Sequence, residues 1–470
     1  MSERIPVRTV ETFEPSRAKM KVKSSDNLIH TRSFTGLFRN LRISGAGLLF
    51  LLFFGTVWLN WGGRQAVLWD LGESKFHIFG ATFWPQDFIL LSALLIIAAF
   101  GLFAITVFAG RVWCGYTCPQ SSWTWIFMWC EKITEGERNQ RIKLQAAPWG
   151  LNKLMRRSAK HTLWLAISLL TGLTFVGYFT PIRPLAEELL TLQMSGVSLF
   201  WVVFFTGATY INAGWLREAV CMHMCPYARF QSVMFDKDTL TISYDVARGE
   251  NRGPRKREVK PAEVGLGDCI DCQLCVQVCP TGIDIRDGLQ MECIGCAACI
   301  DACDSIMDKM GYARGLISYT SERQLQGGKT HLLRPRLIGY TAVLLVMIAA
   351  LVFALIERPM VSLDVSKDRG LFRENSQGQI ENIYSLKVIN KTQQRQDYQL
   401  TLVNADGFQL QGTTDLSLAP GEIVDVPVSV AMTAERPTSS SQSISFKIVD
   451  GDEPGIYSVA KSRFVAPMNR

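Results

Sequence analysis

Five long apolar segments dominate the pattern of hydrophobic and polar positions, and each approaches the length of a membrane-spanning helix, about 20 residues. The first begins too far from Met1 and runs too long for a cleaved signal peptide. The fourth is the least apolar, because Thr206, Thr209 and Asn212 interrupt it. The pattern therefore predicts a bundle of five transmembrane helices, near Ile43–Trp61, Phe88–Ala109, Thr162–Tyr178, Val197–Trp215 and Leu337–Ile356.

After Met360 the pattern changes to short runs in which apolar and polar residues alternate, as in β-strands with one buried face. Turn residues such as Pro420-Gly421 separate the runs. The runs are IYSLKVI (383–389), YQLTLV (398–403), IVDVPVSV (423–430), ISFKIV (444–449) and IYSVAKSRFV (456–465). They predict an all-β, immunoglobulin-like sandwich over residues 357–470. This segment has no cysteine and no histidine, so its predicted role is structural or partner docking.

Composition and charge agree with a membrane protein. The chain has 470 residues, 48% of them hydrophobic, and a formal net charge of +7. Because the basic residues flank apolar segments, the charge reflects topology and does not indicate nucleic-acid binding. Lys and Arg are frequent before residue 43 and over 111–160, and rare over 62–87 and 179–196. The positive-inside bias then predicts a cytoplasmic N-terminus, a cytoplasmic loop over 216–336 and an external C-terminus.

Eight of the 13 cysteines form a doubled C-x2-C-x2-C-x3-C pattern in the large predicted cytoplasmic loop. In such repeats a tight loop supplies three thiolates to a cubane iron–sulfur cluster, and the other repeat supplies the fourth. The spacing predicts a bacterial-type dicluster ferredoxin domain with two 4Fe–4S clusters. The predicted ligand sets are Cys269, Cys272, Cys275 with Cys303, and Cys293, Cys296, Cys299 with Cys279. A pair of zinc sites is the alternative, and eight cysteines at this spacing disfavour it.

One residue departs from the usual ferredoxin pattern. Pro280 follows Cys279, but Asp304 stands after Cys303 where a second proline is usual. A more exposed cluster or a shifted potential is the expected consequence. The surrounding acidic residues are either a solvated face or a docking face for a basic electron donor.

Two further motifs, CGYTCP (114–119) and CMHMCP (221–226), each follow a predicted membrane helix and an arginine, Arg111 or Arg217. Cysteines four apart share one helical face. Proline disfavours helix at the preceding residue, so each helix is expected to end near the second cysteine. A helix C-terminus attracts cations. The chain thus contains two half-repeats, and four thiols converge if the halves pack together.

Several kinds of chemistry are compatible with these four thiols, which belong to Cys114, Cys118, Cys221 and Cys225. Soft thiolate and thioether ligands select copper(I), zinc or iron–sulfur clusters. Copper, a further cluster and a transient disulfide all remain open, and buried packing is the plain alternative. The position of the four thiols favours a copper site in which electrons from the clusters reduce the copper, because the thiols and the clusters share the predicted cytoplasmic side. In the second half Met222, His223 and Met224 are candidate additional ligands. Cys130 stands alone and is predicted to serve packing.

The order of these parts resembles the cytochrome c oxidase accessory proteins called CcoG, FixG or RdxA, over nearly the whole chain. The resemblance implies a multi-pass bacterial inner-membrane protein that assists assembly of the cbb-type haem–copper oxidase by reducing copper(II) to copper(I), a cupric reductase. The implied partners are a cytoplasmic electron donor, copper ions, the oxidase or its copper chaperones, and the lipid bilayer. A homo-oligomer is compatible with the sequence. The C-x3-C-P pair also occurs in membrane ferredoxins of nitrate and nitrous oxide reduction.

These patterns divide the chain into five parts and leave three functions to compare. The parts are a basic tail (1–42), four membrane helices (43–225), a linker with the ferredoxin domain (226–336), a fifth helix (337–356) and the outer domain (357–470). A metal-reducing assembly factor is favoured by the CMHMC ligand set. The alternatives are an electron relay to a quinone or a periplasmic reductase, and a redox scaffold or sensor without catalysis.

Overall fold

The structure of the protein is a computed structural model that describes residues 29–259, 261–375, 378–403, 406–433, 440–451 and 455–467. The first 28 residues of the predicted basic tail therefore lie outside the described residues. The chain divides into two compact units. The first contains the residues up to Asn40, Glu131–Lys160 and Ile242–Tyr319, and the second contains Leu41–Cys130, His161–Thr241 and Thr320–Arg470.

Helices are the main secondary structure of the described residues before Glu357. In chain order they are α1 (Leu37–Gly55), α2 (Phe88–Ala109), α3 (Val112–Tyr116), α4 (Pro119–Glu135), α5 (Arg138–Ala146), α6 (Leu151–Val176), α7 (Ile182–Thr191), α8 (Gly196–Thr209), α9 (Pro226–Met234), α10 (Val246–Gly249), α11 (Leu274–Gln277), α12 (Ala298–Met310), α13 (Glu322–Leu325) and α14 (Pro335–Ile356). Wider π-helical turns follow α8 at Tyr210–Leu216 and recur at Val220–Met224. Such π-turns are rare and are frequent at functional sites.

Five helices within the described residues are long and apolar enough to cross a membrane, which confirms the predicted number. They are Leu37–Trp58, Pro85–Ala109, Leu151–Val176, Gly196–Leu216 and Pro335–Ile356. The third begins at Leu151 rather than near Thr162, because the charged stretch before Thr162 is also helical and hydropathy marks only the apolar part. The first begins at Leu37 and ends by Trp58, because strand structure starts at Asn60.

Aromatic packing and close helix approach hold the helices of the second unit together. Trp123, Phe127, Trp164 and Cys130 form one buried cluster, and Cys130 is 1% exposed, as its predicted packing role requires. Gly172 on α6 faces α8 so closely that a Cβ there would lie 2.6 Å from Thr206 Oγ1. This separation lets the α6 and α8 backbones meet without a side chain between them.

The strands are short before the fifth membrane helix and longer after it. They are β1 (Asn60–Trp61), β2 (Arg64–Gln65), β3 (Val67–Asp70), β4 (Lys75–Ile78), β5 (Ala81–Phe83), β6 (Thr241–Tyr244), β7 (Ile317–Thr320), β8 (Val361–Lys367), β9 (Arg373–Glu374), β10 (Ile380–Asn390), β11 (Gln396–Val403), β12 (Phe408–Gly412), β13 (Asp415–Leu418), β14 (Ile423–Met432), β15 (Ser441–Asp450) and β16 (Tyr457–Val465). All five strands predicted after Met360 are present, as β10, β11, β14, β15 and β16.

The C-terminal strands form two antiparallel sheets that enclose one apolar core, so the predicted sandwich is confirmed. One sheet has the order β12-β14-β10-β8, with β9 also paired to β10, and the other has the order β13-β11-β15-β16. Alternate residues face inward, and Tyr384 meets Phe446 across the core with ring centroids 5.1 Å apart. The Tyr384 hydroxyl donates to the Arg463 carbonyl at 3.0 Å, which satisfies its buried polar group.

A buried ion network joins the sandwich to the segment between α1 and α2. Arg358 donates to Asp87 Oδ2 at 2.5 Å and to the Thr82 carbonyl at 2.7 Å, and Lys391 Nζ lies 3.2 Å from Asp87 Oδ1. The three charged side chains are only 4–11% exposed. Since buried charges are costly without partners, this network fixes the sandwich against the segment that precedes α2.

Candidate functional site

The two ferredoxin-type repeats surround two separate cavities, and each cavity collects cysteines from both repeats. One cavity is lined by Cys269, Cys272, Cys275 and Cys303. The other is lined by Cys275, Cys279, Cys293, Cys296 and Cys299. Cys275 borders both cavities. The first cavity thus contains the whole set predicted with Cys303, and the second contains the whole set predicted with Cys279.

Electrostatic coupling among the thiols follows the same crossed grouping. Burial, with smaller contributions from Cys275, Cys272 and Cys269, raises the pKa of Cys303 to about 12. Burial also raises the pKa of Cys299 well above its ordinary value, with Cys296, Cys293 and Cys279 adding to the effect. In the metal-free chain these buried groups are therefore thiols, which must lose their protons when they bind metal.

Left-handed backbone positions shape both loops in the same way. Asp271 and Gln273 have φ of 51° and 54° in the first repeat, and Gly295 and Ala297 have φ of 67° and 56° at the matching positions of the second. A non-glycine residue pays roughly 1–2 kcal/mol for this conformation. The cost is tolerated because it wraps each loop around its cavity, and strain of this kind concentrates at functional sites.

Several polar residues beside the cavities were missed by the sequence analysis. Burial and the neighbouring Cys269 thiol raise the pKa of Tyr244, whose hydroxyl hydrogen-bonds Cys269 and also lies 3.3 Å from Glu250 Oε1. Thr281 Oγ1 lies 3.3 Å from Cys279 Sγ. Threonine two positions after that cysteine is a local signal that could have been read, whereas the approach of Tyr244 is long-range.

Asp301 anchors the N-terminal segment to the helix that carries two of the cluster cysteines. Its carboxylate accepts the backbone N–H of Phe38 at 3.2 Å and of Arg39 at 2.7 Å, at the start of α1. A Cβ on Gly36 would lie 2.2 Å from Asp301 Cγ, so this close approach requires glycine. A carboxylate at a helix N-terminus is stabilised by the helix dipole. Asp301 lies between Cys299 and Cys303 on α12.

Asp304, which replaces the usual proline, lies inside α12 rather than at a turn. The helix continues past Cys303 to Met310. The Asp304 carboxylate accepts the Gly315 N–H at 3.0 Å and so ties the following loop to the helix. Cys303 is half-buried, and among the ferredoxin cysteines Cys272 is the exposed one.

The two C-x3-C-P motifs adopt matching backbone conformations 107 residues apart. After the membrane helix the chain turns at Gly110 (φ 57°, ψ −123°) in the first half and at Arg217 (φ 44°, ψ −115°) in the second. Arg217 is therefore the counterpart of Gly110, and Arg111 is the counterpart of Glu218, although an arginine precedes the first cysteine of each motif. The half-repeat itself is present, with one short helical segment carrying each first cysteine, Cys114 or Cys221.

The second cysteine of each motif precedes a new helix, which changes the predicted dipole argument. The helical segments end at Tyr116 and Met224, and α4 and α9 begin at Pro119 and Pro226. Cys118 and Cys225 therefore lie at helix N-termini, where the partial positive charge favours an anion. Each of these cysteines therefore lies between two helix ends, because the preceding segment ends beside it, as predicted, and the next helix begins after it.

The thiols of both halves lie near one another in the second unit. Burial, with smaller contributions from Cys118 and Cys221, raises the pKa of Cys114 to about 12. Burial, with smaller contributions from Cys118 and Cys225, raises the pKa of Cys221 to about 11. In the part of the chain that the structure describes, no group of three or more His, Cys, Asp or Glu side chains is arranged to hold one metal ion. The four thiols are coupled electrostatically but, like the eight ferredoxin cysteines, are not arranged as a ready-made site for a single ion.

Reciprocal hydrogen bonds lock the two halves together around these thiols. Gln120 Nε2 donates to the Asn212 carbonyl at 2.9 Å and to the Arg217 carbonyl at 3.2 Å. Tyr227, which is equivalent to Gln120, places its hydroxyl 2.5 Å from Thr106 Oγ1 in the other half. Each half thus inserts the residue after its Cys-Pro pair into the helix end of its partner half.

Two of the three extra ligand candidates of the second motif do not share the burial of the cysteines. His223 and Met224 are exposed, and Met224 reaches 65%. Met222 is half-buried, as Cys221 and Cys225 are. The structure therefore gathers the cysteines of the motif and leaves two of the three added soft or borderline side chains at the surface.

Comparison with known proteins agrees with this architecture. One family model, described as "4Fe-4S dicluster domain", matches residues 216–322, and another, described as "IG-like fold at C-terminal of FixG", matches residues 351–467. Protein RdxB of Cereibacter sphaeroides is 39% identical over 86% of this chain and 87% of its own length. Nitrogen fixation protein FixG of Rhizobium meliloti is 34% identical over 83% of this chain and 82% of its own.

A crystal structure of a FixG-related protein from Vibrio parahaemolyticus also matches, with 29% identity, a TM-score of 0.22, and coverage of 23% of this chain and 98% of that one. The similarity to RdxB and FixG extends over most of each chain. Together with both domain matches, it confirms the resemblance inferred from the cysteine motifs. This chain is a multi-pass membrane iron–sulfur protein that belongs to the FixG/Rdx family.

Proposed function

We propose that this protein is a membrane-bound electron-transfer protein that reduces copper(II) to copper(I) and supplies the reduced ion for assembly of a cbb-type oxidase. The observation that carries the proposal is the presence of two kinds of thiol site in one chain. Eight cysteines line two cavities in the first unit, and four more converge between the two halves of the membrane domain.

The residues around the two cavities fit iron–sulfur clusters. Each cavity offers four thiols from two directions, and its remaining lining is largely apolar. Cys269, Cys272, Cys275 and Cys303 would hold one cluster, and Cys279, Cys293, Cys296 and Cys299 would hold the other. When bound, such clusters supply one-electron transfer at potentials set by the surrounding charge and hydrogen bonds. Asp301 and Tyr244 hold the cysteine-bearing segments in place.

Copper is the proposed substrate of the second site. Thiolate ligands favour copper(I) over harder ions, and Cys118 and Cys225 lie at helix N-termini that stabilise thiolates. One electron converts copper(II) to copper(I), and the binding thiols release their protons to water. Because the four thiols do not form a ready-made ion site, the proposal requires copper to draw them together. Of the three extra ligand candidates, Met222 is the best placed to move with the thiols onto the copper ion.

The proposed sidedness puts the N-terminus and the first unit in the cytoplasm of a bacterial cell, and the sandwich in the periplasm. The asymmetry of Lys and Arg supports it. A cytoplasmic donor then supplies the electrons, and the oxidase or its copper chaperones receive copper(I). Reporter fusions after Arg358 test this arrangement. A reporter that works only outside the cytoplasm is expected to be active, and activity of a cytoplasmic reporter there contradicts the topology.

The experiment that tests the function compares cysteine variants of the purified full-length protein. Cys221→Ser with Cys225→Ser is expected to abolish copper(II) reduction, measured with a copper(I)-specific chelator and a chemical reductant as donor. Its iron and sulfide content is expected to equal that of the wild type. Cys130→Ala is the matched control, because Cys130 packs outside the group of four. If the double variant reduces copper(II) as the wild type does, the proposed copper site is contradicted. If the protein delivers its electrons to a quinone instead, the relay function is favoured.

A further inference from the structure

A buried amide touches one of the four membrane-domain thiols. Gln231 on α9 is fully buried, and its Oε1 and Nε2 atoms both lie 3.7 Å from Cys114 Sγ. Sulfur contacts of this length are hydrogen bonds of weak donors and acceptors. Because both ends of the amide are equally far from the sulfur, the thiol can donate to the oxygen and the nitrogen can donate to the sulfur.

A chain of buried hydroxyls fixes the amide in turn. The Gln231 side chain hydrogen-bonds the Tyr227 hydroxyl. Thr106 Oγ1 donates to the Leu102 carbonyl at 2.7 Å, and the Tyr227 hydroxyl, 2.5 Å from Thr106 Oγ1, donates to that hydroxyl oxygen. The amide is therefore tied to α2 of the opposite half. Fully satisfied networks of this kind rigidify the groups that they connect.

The other half of the repeat lacks an equivalent amide. With the 107-residue offset, Gln231 corresponds to Thr124 and Cys114 corresponds to Cys221. Thr124 Oγ1 accepts a hydrogen bond from Gln120 Nε2 at 3.5 Å, a contact within α4 of the same half. The two halves share a backbone conformation, but Gln231 makes the surroundings of Cys114 different from those of Cys221.

We propose that Gln231 is a positioning residue that holds Cys114 as a copper ligand in both its free and its metal-bound form. The inference rests on the proposed copper function. A neutral amide accepts the S–H of the free thiol through its oxygen and donates an N–H to the sulfur once copper(I) has replaced the proton, which leaves to water. A carboxylate can only accept, and a thioether can do neither with useful strength. Gln231 thus suits both states of the sulfur without introducing a buried charge.

The experiment is a copper(I) titration of the purified full-length protein under anaerobic conditions, followed by thiolate-to-copper(I) absorption and by competition with a copper(I) chelator. Gln231→Glu keeps the shape of the side chain and loses its N–H donor. Gln231→Met keeps the volume and loses both the N–H donor and the oxygen acceptor. Each is expected to weaken copper(I) binding by about tenfold or more, in line with the strength of hydrogen bonds to charged groups, and to alter the absorption band. Thr124→Val, the matched change in the other half, is expected to bind as the wild type does.

The outcomes separate the inference from the proposed function. If the wild type binds and reduces copper, but Gln231→Glu and Gln231→Met titrate as the wild type does, only the inference is overturned. If Thr124→Val weakens binding equally, the effect is structural and the inference is also overturned. If the wild type binds no copper(I), the proposed function fails and the role of Gln231 fails with it. An unchanged thermal unfolding transition in detergent shows that the second unit of both Gln231 variants, which contains the substitution, is folded.

Discussion

Cys118 and Cys225 occupy the same backbone position in the two halves of the membrane domain. Each donates its N–H at 2.9 Å to the carbonyl oxygen five residues earlier, on Trp113 and Val220 respectively. The residues between the cysteines differ completely, GYT in one motif and MHM in the other, yet the backbone is repeated. The two halves thus share the cysteines, the proline and the turn, which are the features needed to present paired thiols.

The crossed grouping of the ferredoxin cysteines predicts which cluster each variant damages. The wild type should contain about eight irons per chain, four for each cluster. Cys279→Ser is expected to lose the signal of the cluster held by Cys293, Cys296 and Cys299, because Cys279 lines that cavity. Cys303→Ser is the matched change and should affect the other cluster. The variants are compared by iron analysis and by electron paramagnetic resonance of the reduced protein. Loss of the cluster held by Cys269, Cys272 and Cys275 in Cys279→Ser refutes the crossed grouping.

The ion network at Asp87 predicts a loss of stability at the base of the sandwich. Asp87→Asn leaves Arg358 and Lys391 buried without their carboxylate, and breaking a buried pair in this way costs about 3–5 kcal/mol. Hydrogen exchange is expected to speed up near Val361 and Lys391. Asp364→Asn, an exposed change on β8, is the control and should leave exchange unaltered. Equal protection in Asp87→Asn and the wild type would show that the network does not hold the sandwich.

The close approach of α6 and α8 predicts opposite effects for two glycine substitutions. Gly172→Ala places a Cβ 2.6 Å from Thr206 Oγ1 and 2.9 Å from the Val202 carbonyl, so the helices must separate. Overpacking of this kind costs typically 1–3 kcal/mol. Gly207→Ala meets no atom within 4 Å and should be neutral or slightly stabilising. Thermal unfolding in detergent distinguishes the two, and a melting temperature unchanged by Gly172→Ala contradicts the packing described here.

The pH dependence of the sandwich follows from Glu381. Hydrogen bonds from Arg373 at 3.0 and 3.1 Å, and then from Ser429, hold the pKa of Glu381 below its ordinary value of 4.5. A carboxyl whose folded-state pKa is depressed contributes stability above its unfolded pKa and loses it as the pH falls through the folded value. Protection of β10 should therefore decline below about pH 4.5. Glu381→Gln should flatten this decline, while the exposed Asp415→Asn should not, and parallel acid profiles for all three proteins contradict the assignment.

Patterns that are local in the chain could be predicted from the sequence. Five apolar segments, the doubled cysteine spacing and five alternating strands were all recognisable, because length, thiol spacing and periodicity depend on neighbouring residues. The ends of helices were less predictable. Leu151 begins the third membrane helix within a charged stretch, and Cys114 lies on the separate short helix α3, because a turn at Gly110 ends α2.

Contacts between distant residues could not be predicted in this way. Asp87 and Lys391 are 304 positions apart, and Asp301 and Arg39 are 262 apart. A single sequence contains no signal that pairs such residues, since many Asp and Lys residues are equally suitable partners by type. The role of Gln231 was missed for the same reason. A buried glutamine after a Cys-Pro motif becomes noticeable only when the fold brings it to a thiol from the other half.

The most direct test of the central claim is an electron balance in a single turnover. The protein is reduced anaerobically, freed of excess reductant and mixed with copper(II), and copper(I) is counted while iron–sulfur absorbance is followed. The account predicts that copper(I) appears in proportion to the electrons that the protein loses, and that Cys221→Ser with Cys225→Ser keeps its electrons. Copper(I) formation at the wild-type rate in that variant, or none in the wild type, contradicts the account.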